Sequence, residues 1–248
     1  MVPSPPAPLP GGEGGKETLR VGGLLPLTTV EWEGHLAAVL FLQGCPWRCR
    51  YCHNSGLVAT RTSALTPWAE VWSFLLERQG LVDAVVFSGG EPTAQAGLPT
   101  ALEAVKELGY LTALHTNGYN TAALTRALDT GALDYVAMDI KAPFARYDEV
   151  TRVAGSGRKA QRSATAIIKS GVAHEFRTTY HSDLLSPDDV RAIAQDLQWR
   201  GGQAYYLQRY RDDGSPDMSL ALSPSDKPSA KLLRELKALF PTFGTRGF

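Results

Sequence analysis

Six short stretches that read as strands alternate along this chain with stretches that read as amphipathic helices, and that alternation restricts the fold more than any other feature. The strands are Leu36–Leu42, Asp83–Phe87, Leu111–His115, Asp134–Ile140, His174–Tyr180 and Ala204–Gln208. The apolar run Leu36–Leu42 suits a strand buried on both faces, as parallel pairing requires. Between them, helices are expected from Thr66, with Thr66 as cap and Pro67 in the first helical position, up to Gly80, and over Leu98–Leu108. Others are expected over about Thr121–Thr130, about Lys159–Ser170, from Ser186-Pro187-Asp188-Asp189 through Leu197, and over Pro228–Phe240. Strand-helix alternation implies parallel pairing through right-handed crossovers. A doubly wound sheet satisfies the same count. A curved α/β partial (β/α)6 barrel fits better, because every polar or glycine-rich motif follows a strand's C-terminal end, the face where barrel active sites form.

The first of those ends carries Gly44-Cys45-Pro46-Trp47-Arg48-Cys49-Arg50-Tyr51-Cys52-His53-Asn54, so all three cysteines of the chain fall within eight residues. Their Cys-x3-Cys-x2-Cys spacing brings thiolates close together, which suits zinc or an iron–sulfur cluster rather than a disulfide. A four-iron cluster on three thiolates leaves one iron open to a ligand. Three thiolates with His53 would equally make a structural zinc tetrahedron, although such sites usually draw on a second knuckle and none is present.

Composition removes several other classes. Lys plus Arg equals Asp plus Glu at 25 each, so no basic field exists to hold nucleic acid or a membrane surface. The longest apolar run, Leu36 to Leu42, is too short to span a bilayer, and the start of the chain does not read as a signal peptide. A soluble cytoplasmic protein with reduced thiols is expected. Residues 1–17 hold five prolines and four glycines with little apolar bulk, the composition of a disordered tail. The remainder, 18–248, is expected to form one domain, for which a hydrophobic content of 44% is ample.

Cys-x3-Cys-x-aromatic-Cys, with Tyr51 as the aromatic, resembles the cluster loop of the radical S-adenosylmethionine (SAM) enzymes. Gly22-Gly23-Leu24, Leu36 through Cys45 and Tyr51-Cys52-His53-Asn54 resemble one branch, the activating proteins of anaerobic ribonucleoside-triphosphate reductase. The likeness runs from about Leu19 to Arg211. It implies a six-unit partial TIM-like barrel, with a 4Fe-4S cluster on Cys45, Cys49 and Cys52 and SAM at the C-terminal ends of the strands. It also implies reductive cleavage of SAM to a 5′-deoxyadenosyl radical, which takes hydrogen from a glycine of a partner glycyl-radical enzyme, with flavodoxin or ferredoxin as electron donor. Val30-Glu31-Trp32-Glu33-Gly34 departs from the Asp-aromatic-Pro-Gly usual in that branch.

The same resemblance assigns the other candidates. Gly89, Gly90 and Glu91, in Ser88-Gly89-Gly90-Glu91-Pro92, would hold the amino group of the methionine moiety, and a glycine pair does let backbone approach a ligand closely. Thr116 belongs to His115-Thr116-Asn117-Gly118, where related activators carry an acidic residue at the position of His115 that helps to hold a monovalent cation. Asp139 and Lys141 share one face by strand alternation, and ribose hydroxyls and the SAM carboxylate are their implied partners. Tyr51 is implied at the adenine, with His53 and Asn54 beside it, and Arg211 near the adenine or carboxylate. No long insertion that would serve as a lid is read after any strand, so the barrel mouth is expected to admit a protein loop. The alternatives are a radical SAM enzyme acting on a small molecule, or a non-enzymatic zinc or electron-transfer module.

Overall fold

The computed structural model describes residues 19–212, 216, 217, 219, 220 and 226–248, so the expected tail over residues 1–17 lies outside the described residues. The chain divides into two compact units. One takes in the described residues of Met1–Pro46 with Leu57–Thr116 and Ala122–Tyr135, the other Trp47–Gly56, Asn117–Thr121 and Val136–Phe248.

In the first unit the elements are β1 (Val21–Thr28), β2 (Ala37–Leu42), α1 (Trp68–Glu77), β3 (Ala84–Gly89), α2 (Leu98–Glu107), β4 (Leu111–Thr116) and most of α3 (Thr121–Asp129). The strands lie in chain order, with β1 antiparallel to β2 and the following pairs parallel. A fully buried cluster of small residues, Ala37, Val39, Ala84, Val86 and Ala113, lines one face of the sheet. Such small side chains leave room for a large one, and Trp32 fills it, packing there and stacking on Tyr135 at 5.2 Å between ring centroids.

The second unit holds β5 (Tyr135–Asp139) from its second residue, α4 (Tyr147–Thr151), α5 (Ser156–Ser170), β6 (Ala173–Tyr180), α6 (Pro187–Trp199), β7 (Ala204–Arg209), α7 (Ala230–Leu239) and β8 (Thr242–Arg246). Its strands too follow chain order, β6 to β8 in parallel. A doubly wound sheet reverses its order at a switch point. Neither unit does, and that topology is excluded.

Six expected strands are present as β2 to β7, and two unexpected ones flank them. Gly22, Gly23 and Pro26 make β1 look like a loop, but an edge strand tolerates both residue types, and the register shifts between Leu25 and Thr28, around the proline. One helix start differs as well. Thr66 does not cap α1: its amide donates to the Val21 carbonyl, and Pro67 takes the cap position with no side-chain bond. Ser186 behaves as expected, closing a capping box with Asp189 at the start of α6. Among the described residues no helix is long and apolar enough to cross a membrane.

Candidate functional site

In the first unit β2 delivers the chain to Cys45 along a path fixed by backbone bonds. Gly44 N donates to Leu57 O at 2.7 Å and Cys45 N to Val58 O at 3.1 Å. The glycine pair after β3 lies directly against this stretch: Gly90 N donates to Leu42 O at 2.8 Å and Glu91 N to Gly44 O at 2.9 Å. A Cβ on Gly90 would stand 2.4 Å from the Gly44 carbonyl oxygen, and one on Gly89 would stand 2.3 Å from Leu42 N. Glycine is required at both by backbone approach, and Gly89 also has φ +108°. Glu91 is fully buried; its carboxylate accepts from Thr93 N at 3.0 Å and Thr116 Oγ1 at 2.6 Å. It therefore ties the Gly-Gly turn to the end of β4.

His115, on β4, stands where the resemblance leads one to expect an acid, and the acid comes from elsewhere. Glu31 Oε2 lies 3.4 Å from His115 Nδ1, carried there by the segment between β1 and β2 that departs from the branch pattern.

In the second unit the rest of the cysteine loop docks on α4. Arg48 N donates to Thr151 O at 2.9 Å, Arg50 N to Val150 O at 3.2 Å, and Trp47, fully buried, meets the Tyr147 and Tyr119 rings edge-on. Trp47 Nε1 makes no hydrogen bond among the described residues, so ring volume rather than polarity anchors the loop. Trp47→Ala is expected to cost about 3–5 kcal/mol of stability in urea unfolding of the metal-free protein, and Trp47→Phe much less. A loss below about 1 kcal/mol for the alanine variant would show that this packing does not hold the loop.

Around that loop the second unit gathers Cys49, Tyr51, Asp139 and Lys141. The Lys141 ammonium is 3.6 Å from Asp139 Oδ2 and 5.3 Å from the Tyr51 ring centroid, and Arg177 Nε donates to Asp139 Oδ1 at 2.9 Å. Burial works to lower the Lys141 pKa, but Tyr51, Cys49 and Asp139 outweigh it and hold that pKa well above the ordinary value. Burial pushes the Cys49 thiol up, with Lys141 opposing, and pushes the Tyr51 phenol up as well. The row continues along β6, where Glu175 is held by Arg246 of β8 through two bonds of 2.7 and 2.9 Å.

The remaining candidates separate. His53 stacks on the buried Tyr210 ring at 5.8 Å, Asn54 is exposed, and Arg211 stands exposed past β7, outside the contacts that join the others. Tyr210, next to Arg211, meets the cysteine loop through the His53 ring. Arg177 is likewise a member of the site by contact. After β7, Asp217 accepts from Arg50 at 2.7 Å and the Leu220 carbonyl accepts from the Tyr210 hydroxyl.

The residues fit the implied groups. Three free thiols, two of them buried, provide the donor chemistry of an iron–sulfur cluster. Among the described residues no three His, Cys, Asp or Glu side chains converge as a single-ion site.

Comparison with known proteins agrees. The chain is 29% identical over 224 residues, covering 87% of it and 89% of the relative, to a provisionally named glycyl-radical enzyme activating enzyme of Methanocaldococcus jannaschii. A provisionally named activating enzyme of Haemophilus influenzae is 29% identical over 99 residues, 39% of this chain and 37% of that one. Among solved structures, Streptococcus suis SuiB bound to its precursor peptide SuiA superposes with a TM-score of 0.64 at 16% identity, over 84% of this chain and 48% of that one. The enzyme anSMEcpe with bound AdoMet gives 0.62 at 17% identity, over 81% and 60%. These likenesses show the α/β partial-barrel fold. The sequence model of the radical SAM superfamily matches residues 39–200, well over half of the chain, which therefore belongs to that superfamily, whose enzymes work with a 4Fe-4S cluster and SAM.

Proposed function

We propose that this chain is a glycyl-radical activating enzyme whose protein substrate is the anaerobic ribonucleoside-triphosphate reductase of the same organism. The observation that carries this reading is the cysteine loop with its flanking motifs, in a chain that shares almost its whole length with a relative named for glycyl-radical activation. With the family shown, a zinc module drops out.

When bound, the cluster and SAM supply one-electron reductive cleavage that yields methionine and a 5′-deoxyadenosyl radical. The chain's part is to bind, orient and exclude water. Cys45, Cys49 and Cys52 hold the cluster, and Gly89 and Gly90 present backbone to the amino end of SAM, in a turn that Glu91 and Thr116 brace. Lys141 offers a buried cation to the SAM carboxylate and Asp139 an acceptor to the ribose hydroxyls, with Arg177 fixing the Asp139 carboxylate. Tyr51, 4% exposed, and the buried Trp47 keep the loop dry. Reduced flavodoxin or ferredoxin delivers the electron, in a cytoplasmic setting.

Mixing the reconstituted protein, SAM, a reductant and the reductase is expected to give a glycyl radical, seen as a doublet in electron paramagnetic resonance. SAM cleavage without a doublet, with a competent reductase, would overturn the partner. One observation favours a second reading, a small polar substrate: the row of charged side chains from Lys141 and Asp139 through Arg177 to Glu175 and Arg246. The same experiment separates the two.

A further inference from the structure

Where β2 leaves the sheet toward Cys45, the carbonyls of three successive residues are all bonded by the segment that ends β3 and follows it. Leu42 O accepts from Gly90 N at 2.8 Å and Gly44 O from Glu91 N at 2.9 Å, while Gln43 O accepts from Nε2 of the Gln95 side chain at 3.1 Å. Main-chain amides serve the outer two carbonyls, and a glutamine serves the middle one. Successive carbonyls of an extended chain point to opposite sides, so the backbone of one neighbour does not reach all three. A side chain long enough to cross the strand end does.

Gln95 also reaches beyond that strand. Its Oε1 accepts from Arg20 N at 2.7 Å, and its Nε2 donates to Arg20 O at 3.2 Å as well as to Gln43 O. A carboxamide has one carbonyl oxygen and two N–H donors, and this one finds a main-chain partner for each. Gln43 N donates to the same Arg20 O at 2.8 Å. The side chain therefore stands in for a peptide of a neighbouring strand, at the point where the start of β1, the end of β2 and the turn after β3 meet. Gln95 is buried, so removing its amide would leave main-chain groups short of a partner where water has little access. The turn that delivers it is itself braced, since the Glu91 carboxylate accepts from Thr93 N at 3.0 Å and Gln95 N donates to Pro92 O at 3.0 Å. All of these residues belong to the first unit.

We propose that Gln95 is a positioning residue for radical generation: it locks the Gly89-Gly90-Glu91 turn to the peptide two residues before Cys45, so that these two parts of the site keep one fixed register. Gln95 acts through its main-chain partners and touches no reacting atom. The inference rests on the reading that the turn holds SAM and that Cys45 holds the cluster. Such a register acts on the rate of the bond-breaking step more than on affinity.

The test compares Gln95→Met, which keeps the side-chain length and loses the amide, with Tyr110→Phe, which deletes another buried bond of the same unit, from Tyr110 Oη to Leu75 O at 2.6 Å. In the full chain, before and after reconstitution, hydrogen–deuterium exchange in the segments 42–45 and 89–92 is expected to be about tenfold faster in Gln95→Met and parental in Tyr110→Phe. Dithionite-driven SAM cleavage by Gln95→Met should fall about tenfold in kcat, with KM for SAM within about threefold of the parent and iron content unchanged. Gln95→Asn, which keeps the amide but is one methylene too short to reach every partner, should fall between parent and Gln95→Met. Parental exchange in Gln95→Met, an equal change in Tyr110→Phe, or a loss confined to KM would each overturn the positioning role. Failure of Gln95→Met and Gln95→Asn to fold would overturn it too, by making Gln95 a structural residue of the unit. Absence of SAM cleavage in the parent would instead defeat the functional reading, and the exchange measurement would still decide whether Gln95 joins the turn to the strand end.

Discussion

Replacing Cys45, Cys49 or Cys52 by Ala, one at a time, is expected to empty the protein of iron and sulfide, from about four of each per chain after anaerobic reconstitution to near zero. The size of the effect follows from the ligand count. The chain has three cysteines in all, so a four-iron cluster has no spare thiolate to recruit when one is lost. Cys45 and Cys49 are 7% and 8% exposed, which leaves little access for water or an added thiol to stand in. Each variant should keep its fold, because the loop is pinned by Trp47 and by backbone bonds at Gly44, Cys45, Arg48 and Arg50 that do not involve the thiols. Iron and acid-labile sulfide assays, with circular dichroism as the control on folding, decide the matter. A cluster that survives any one replacement shows the ligand set to be wrong, and a single zinc without sulfide in the parent would sink the iron–sulfur assignment.

Why the cysteine loop and the central strands were legible, and other parts were not, has a physical basis. Strands β2 to β5 are mostly buried and their sequences are largely apolar, while the three cysteines stand out by their spacing alone. The edge strands β1 and β8 carry Gly22, Gly23, Pro26 and Gly244, residues that read as breakers although a sheet edge accepts them. Site residues that depend on long-range contact left no local signal. Glu31 meets His115 across 84 positions, so the acid missing from the Thr-Asn-Gly motif could not be found by reading that motif. Arg211 was placed by resemblance alone, and the contacts of its neighbour Tyr210 with His53 and Leu220 leave no local signal. Arg177 was visible only as a charge within a strand. Its partner Asp139 would have been the signal, since a buried guanidinium needs a carboxylate and alternation already put Asp139 on an inward face.

Lys141→Ala is expected to weaken SAM binding by a factor of ten or more, and Asp139→Asn by a comparable factor, with iron and sulfide content unchanged in both. A hydrogen bond to a charged group contributes about 1.5–3 kcal/mol, equivalent to roughly a tenfold to hundredfold change in affinity. Lys141 is 8% exposed, so its interaction with a ligand carboxylate is little screened by solvent. Asparagine is the better replacement at Asp139. Alanine there would leave the Arg177 guanidinium and the Lys141 ammonium, now bonded to one carboxylate at 2.9 and 3.6 Å, without the anion between them, and a loss of fold would be confused with a loss of affinity. Equilibrium dialysis of SAM against the reconstituted variants measures the effect. If both bind SAM like the parent, the pair is a structural ion pair and the site assignment fails at that strand. Arg177→Lys adds a finer separation. It keeps the charge beside Asp139 but gives up the guanidinium geometry, so it should lower SAM affinity less than Asp139→Asn if Arg177 only orients the carboxylate. An equal or larger loss would place Arg177 against the ligand itself.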